Sequence, residues 1–398
     1  MHSIAIIGAG PSGCYAAQAL AKALPEARID ILDRLPVPYG LLRYGVATDH
    51  QGTKAVIRQF ERLFERQGVA FFGNVTLGRD LTLNDLRQSH DVVVLATGLN
   101  ADRPLGIPGD ALPGVLGSGA VTRAWNDFPD AALPVIGPRV VVIGNGNVAV
   151  DLVRILAKTT GEFEGSDLGQ NTAAALQAAG VLRIDVVGRS AAAVAKFDPV
   201  MISELGRLVD ARIQVQGLNG EGKLIEALTA INGHAPEHAQ KEIVFHFGWT
   251  PVQIEGRGHV EAARFRTTGG DAELVLPCDT ALTAIGFDGE TAGADAGGMI
   301  EPGLYATGWF RRGPRGPIPE NRTDAQGVAA RIAADLAQAP GGKPGRAALI
   351  ARLPDAVSYQ GWQRIDAAER ADCPADRCRQ KITTNAQMLR LACQTGET

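Results

Sequence analysis

Two glycine-rich loops, each wedged between an apolar run and a stretch of helical period, constrain this chain more than any other feature. The first run, Ser3 to Ile7, leads straight into Gly8-Ala9-Gly10-Pro11-Ser12-Gly13, and Cys14 to Leu24 follows with Ala and Leu at helical spacing. Strand, loop and helix in immediate succession are the context in which G-x-G-x-x-G binds a dinucleotide. Gly8 permits the tight turn, Gly10 lets the backbone approach a pyrophosphate, and Gly13 lets the helix pack on the strand. The helix N-terminus offers free N–H groups and a positive dipole end to phosphates. A second strand, Arg28 to Leu32, ends at Asp33, about 20 residues past the glycines, where a carboxylate accepts from ribose hydroxyls. A plain glycine turn in an α/β domain is the competing reading, and these residues alone do not separate FAD from NAD.

The second unit begins at Arg139 to Ile143, another apolar strand, closed by Gly144-Asn145-Gly146-Asn147-Val148-Ala149 in the G-x-G-x-x-A form. Val148 to Leu156 continues as a helix, and a third strand, Leu182 to Val187, ends at Gly188-Arg189-Ser190. An arginine there suits a 2′-phosphate, where NAD-specific sites place an acid. The long gap before Arg189 implies an inserted excursion around Thr159 to Gly180. An acid in one unit and an arginine in the other favour FAD first and NADP second; a surface arginine without a phosphate is the alternative.

A length of 398 residues allows two or three domains. No segment approaches the roughly 18 consecutive apolar residues of a membrane span, and a net charge of −4 gives no field that would draw in nucleic acid. Five scattered cysteines argue against a secreted disulfide framework. The strand at Ser3 to Ile7 leaves no room for a signal peptide, so a cytoplasmic location is expected. Size and charge are compatible with a monomer.

Three longer motifs carry a family resemblance. Pro36-Val-Pro-Tyr-Gly-Leu-Leu-Arg-Tyr-Gly-Val-Ala-Thr-Asp-His50, the segment Gly144 to Leu156, and Gly308-Trp-Phe-Arg-Arg-Gly-Pro-Arg-Gly-Pro-Ile318 resemble adrenodoxin reductase and its bacterial ferredoxin–NADP reductase relatives, as does the ending Gln387 to Leu391. The resemblance implies an α/β fold of two Rossmann-like dinucleotide-binding domains of the glutathione reductase type, the NADP domain inserted into the FAD domain. The implied limits are 1–105 and 273–398 for the FAD domain and 106–272 for the NADP domain. Crossovers are expected at Gly106 to Gly109 and near Gly269, and the FAD domain resumes at a strand near Leu274. The resemblance assigns Ala9, Asp33, Leu41 and Val75 to FAD, with Trp309, Gly316, Pro317 and Ile318 at the flavin ring. Asn145 to Val148, Arg189, Ser190 and Glu204 go to NADP. His50 and Asp151 match the family's pair of polar residues beside the flavin.

The residues support a parallel physical reading. Gly313 to Pro319 reads as a stiff loop into a helix from about Thr323 to Leu336, whose N-terminus stabilises an anionic flavin. Asp324 reads as a helix N-terminal residue, and Gly308 as backbone crowded against a ligand. His50 as a loop histidine and Asp151 as a first-turn carboxylate are the structural alternatives. The departures are also specific. Arg189-Ser-Ala-Ala stands where the family carries two arginines and Gly-Pro, which implies a weaker preference for NADPH over NADH. Gly206 stands where a basic residue is expected, and the second half of the NADP domain is short. Arg311, Arg312, Arg315 and Arg322, with Arg43 nearby, form a basic set suited to an acidic ferredoxin-type iron–sulfur partner. Cys373, Cys378 and Cys393 read as tail thiols without a metal pattern.

The implied activity is NADPH:ferredoxin-type oxidoreduction, hydride passing from NADPH to flavin N5 and single electrons to an iron–sulfur protein. The alternatives are an NAD(P)H-dependent flavin oxidoreductase acting on a small organic substrate, and a flavin-binding subunit active only in a complex.

Overall fold

A computed structural model describes residues 1–316 and 318–393. Ser3–Ile7 and Arg28–Leu32 form the expected strands and pair in parallel. With them Ala70–Phe72, Val92–Leu95, Leu304–Ala306 and Met299–Glu301 complete a six-stranded sheet, parallel except at the Met299–Glu301 edge. Ile4, Ala5 and Ile6 have no solvent exposure, because layers cover both faces of the sheet and the run is apolar on both sides. Helix Pro11–Ala23 opens with proline in its first turn and packs along helix Ile318–Leu336. The latter turns Ala325, Val328, Ala329, Ile332 and Leu336 to the core, a stripe at helical spacing. It begins five residues earlier than Thr323, so Asp324 lies inside it rather than at its N-terminus. Pro317 lies outside the described residues.

The second sheet is parallel throughout, in the order Val115–Gly117, Thr280–Thr283, Arg139–Ile143, Arg183–Gly188, Lys241–Phe247, Ala211–Gln216. A three-stranded antiparallel sheet, Trp249–Glu255, Ala262–Thr267 and Glu273–Pro277, covers one side of it. The expected return to the first domain near Leu274 therefore moves later in the chain. Glu273–Pro277 completes this antiparallel sheet, and Thr280–Thr283 lies within the second sheet beside Arg139–Ile143. The crossing segments are Ala101–Asp102 outward and Phe287–Asp288 back, paired antiparallel with each other. They bracket the inserted domain as a two-stranded neck.

The excursion between the second loop and Arg189 folds as a 3-10 turn, Thr160–Phe163, and a helix, Gln170–Ala178. It also ties three parts of the chain together. Its buried Asp167 takes Lys54 of the first domain at 2.7 Å and Lys381 of the C-terminal segment at 2.9 Å. Among the described residues no helix is long and apolar enough to cross a membrane.

Candidate functional site

Both glycine loops sit at the carboxyl ends of central parallel strands, where open α/β sheets bind ligands. Gly8 has φ +111°, and a Cβ there would lie 2.5 Å from the Ala96 carbonyl oxygen, so no larger residue fits. A Cβ on Gly13 would lie 1.9 Å from the carbonyl oxygen of Gly8, the close helix–strand approach expected of it. Gly10 has nothing within 4 Å on that side, leaving its backbone open to a ligand. Asp33 accepts the amides of Ala9 at 2.7 Å and Leu35 at 2.9 Å. Burial lifts its carboxyl above the ordinary range against those amides and Arg34.

A cleft of about 1190 Å³, counted out to its open mouth, starts at this loop. Gly8, Gly10, Ser12, Asp33, Leu41 and Trp309 are among its walls. Val75 is not. It packs in the core beneath with Leu32 and Leu81, and its amide donates to the Asp33 carbonyl.

Trp309 is presented by a turn that only glycine can make. Gly308 has φ +70°, and a Cβ there would fall 2.0 Å from Ser12 Oγ. Asp324, buried in the long helix, anchors this turn by accepting from Thr307 Oγ1 at 2.7 Å, the Gly308 amide at 2.6 Å and Arg311 Nε at 2.9 Å. The Trp309 indole Nε1 is buried without a hydrogen-bond partner among the described residues. A donor left in that state in a cleft wall fits a polar ligand. Gly316, with φ +81°, precedes the long helix, whose first residue is Ile318.

The second loop repeats the design. A Cβ on Gly144 would lie 2.2 Å from the Ala284 carbonyl oxygen, and the space beside Gly146 is open. The Asn145 amide donates to Ser190 Oγ at 2.5 Å, joining the loop to the turn that carries Arg189. Arg189 is exposed, and its carbonyl accepts the Thr268 hydroxyl at 2.8 Å. The Asn147 side-chain Oδ1 accepts the Asp198 amide at 2.7 Å. Val148, at the start of the next helix, belongs to the wall of the first cleft. One residue of the second motif thus reaches the cavity that the first loop opens.

His50 and Asp151 come together across the domain boundary, Nδ1 to Oδ1 at 3.6 Å. Glu204, expected at NADP, pairs with the other side of the ring at 3.2 Å. Three residues that the motifs did not single out, Asp49, Arg154 and Lys158, complete the cluster. Arg154 donates to both carboxylate oxygens of Asp49, to Asp151 at 2.7 Å, and lies 3.4 Å from Glu204. Lys158 also donates to Asp49, at 2.8 Å. Burial raises the Asp151 carboxyl against the pull of Arg154 and His50. Asp49 is buried too, but Arg154 and Lys158 hold it well below the usual carboxylate range. The one sequence signal for Arg154 was its place three residues after Asp151, on the same helix face.

The expected basic set is smaller than its sequence. Arg43 is buried, paired with Glu369 and stacked 5.0 Å from the ring centres of Tyr44 and Trp362. Arg311 and Arg312 are engaged by Asp324. Arg315 and Arg322 remain exposed. All five cysteines are free thiols.

A family model described as pyridine nucleotide-disulphide oxidoreductase matches residues 2–303, a span that includes both glycine loops. The chain is 44% identical to the cindoxin reductase of Citrobacter braakii, over 98% of this chain and 91% of that protein. It is 32% identical to the NADPH-ferredoxin reductase FprA of Mycobacterium tuberculosis (strain ATCC 25618 / H37Rv), over 98% and 99%. The structure of Mycobacterium tuberculosis FprA in complex with NADPH matches with a TM-score of 0.90 at 30% identity, covering 98% of this chain and 99% of that one. With two glycine loops at the ends of parallel strands and matches along nearly its whole length, the chain belongs to the pyridine nucleotide-disulphide oxidoreductase family.

Proposed function

We propose that this chain is an FAD-dependent NADPH oxidoreductase that hands electrons to a small acidic iron–sulfur protein of the ferredoxin type. The observation that carries the reading is the single cleft, which starts at the first glycine loop and is walled by Val148 of the second. FAD held in this cleft would supply hydride acceptance from NADPH and single-electron release to an acceptor. The chain supplies position and electrostatics. Gly10 and the helix N-terminus behind it receive the diphosphate, and Asp33 receives the ribose. Trp309 offers its free indole N–H at the ring end of the cleft. The loop Gly144 to Asn147 takes the NADP diphosphate, and Arg189 takes the 2′-phosphate.

His50 and Asp151 orient the nicotinamide where the two domains meet. Glu204 occupies the far side of the His50 ring, so nucleotide entering there displaces or shares that contact. Exposed Arg315 and Arg322, on the segment that follows Trp309, support an acidic partner. The cindoxin and ferredoxin reductases named above support the same partner class.

Anaerobic titration of the purified protein with NADPH and, in parallel, NADH tests the reading through loss of flavin absorbance. Rapid bleaching with NADPH, followed by reduction of an added ferredoxin, is expected. A flavin that neither nucleotide bleaches would overturn it, and reduction of quinones or dyes but no ferredoxin would move the substrate class to small organic acceptors.

A further inference from the structure

The cleft holds two cations that the functional reading leaves idle. Arg34 follows Asp33 in the first domain and is exposed. Arg123 lies on helix Ser118–Trp125, which follows strand Val115–Gly117 of the inserted domain, and is half-buried. Both line the cleft together with Gly10 and Ser12, and neither has a carboxylate partner among the described residues.

The acids nearby are already taken. Asp102 spends its two carboxylate oxygens on the amides of Gly119, at 2.6 Å, and Ala120, at 2.9 Å. Asp33 is likewise occupied by the amides of Ala9 and Leu35. Burial pushes the Arg123 guanidinium below its ordinary value; Asp102 pulls it back and Arg34 adds to the depression. Two guanidiniums in one concave wall, neither in direct contact with a carboxylate, are matched by a doubly charged anion with paired oxygens. Helix Pro11–Ala23, whose N-terminus receives such an anion, carries no basic residue before Lys22 in its last turn. The dipole and amides there bring no full positive charge of their own.

We infer that Arg34 and Arg123, one from each domain, clamp the diphosphate of FAD. This rests on the reading of the cleft as the FAD site. The cofactor of the first domain is thereby gripped in part by the inserted one, so FAD affinity and domain closure are coupled.

Release of FAD on dilution of the purified holoprotein, followed by recovery of flavin fluorescence over a series of salt concentrations, tests the clamp. Wild type is expected to lose affinity steeply with salt. R123A is expected to raise the FAD dissociation constant by about tenfold or more and to flatten the salt dependence, the size of one lost charge-assisted pair. R34A changes both in the same direction, and R123K retains the salt dependence with part of the affinity. Wild-type affinity in R123A and R34A overturns the clamp. So does weaker binding with the wild-type salt slope, because a merely structural loss leaves that slope unchanged. A wild-type protein that holds no FAD sinks the cofactor reading instead, and the two failures are told apart.

Discussion

Arg154 donates to both carboxylate oxygens of Asp49, at 2.7 and 3.0 Å, across the boundary between the two domains. The guanidinium comes from the helix that opens on the NADP loop, and the carboxylate from the residue before His50. Each side chain is nearly removed from solvent. A buried pair of this kind contributes little net stability by itself, but removing one partner strands the other charge.

R154A is therefore expected to lower stability by about 3–5 kcal/mol, whereas R154K, which keeps the charge and loses the fork, is expected to cost less. Urea unfolding of the two variants checks this. Asp49 is depressed in the folded state, so its contribution is present above the ordinary carboxylate value of about 3.9 and is lost as the pH falls further. That acid loss is expected to be reduced in R154A.

Asp127 behaves in the opposite sense. Burial lifts its carboxyl to about 6, against Lys381 and the Thr172 hydroxyl. The folded state then binds more protons than the unfolded one between about pH 4 and 6. Its contribution is full below that window and fades as the pH rises through it, by about 3 kcal/mol. D127N is expected to remove this fall. Asparagine also tolerates the left-handed backbone here, φ +56°. Unfolding free energies of wild type and D127N at pH 4.5, 5.5 and 6.5 (roughly spanning the window) measure the difference, and parallel curves would count against the assignment.

Arg189 is the one arginine at the end of strand Arg183–Gly188, with Ser190 in the next place. R189A is expected to raise the NADPH concentration needed for half-maximal flavin bleaching by about tenfold and to leave NADH nearly unchanged. An equal loss for both nucleotides would assign Arg189 to the diphosphate rather than the 2′-phosphate.

G308A tests the turn under Trp309. A methyl group at φ +70°, 2.0 Å from Ser12 Oγ, forces the turn or the first loop to move. The expected result is a fall in the flavin-to-protein ratio of the purified chain, with a lower melting temperature. A fully flavinated G308A of wild-type stability would mean that the loop yields at no cost.

Much of the site was legible without coordinates, because strand, glycine loop and helix are contiguous and their geometry follows from local backbone and packing needs. Gly8, Gly13 and Gly144 occur where no Cβ fits, and Asp33 and Arg189 follow the ends of their strands. Meetings between distant segments were legible only in part. The family motifs paired His50 with Asp151, but nothing local pointed to Asp49 and Arg154 behind them, or to Glu204 on the other side of the ring.

The sequence by itself determined two strand–glycine loop–helix units and the residues that follow their strands, Asp33 and Arg189. Only the tertiary structure decided where charges go. It buried Arg43 against Glu369, which lies 326 residues away, and turned Asp324 from a presumed helix start into the anchor of the Trp309 turn. It also kept Thr280–Thr283 in the inserted domain by pairing it with Arg139–Ile143. The reason is physical. Backbone conformation and hydrophobic period are set by near neighbours, whereas the partner of a buried charge or an added strand is set by which surfaces the packed core brings together.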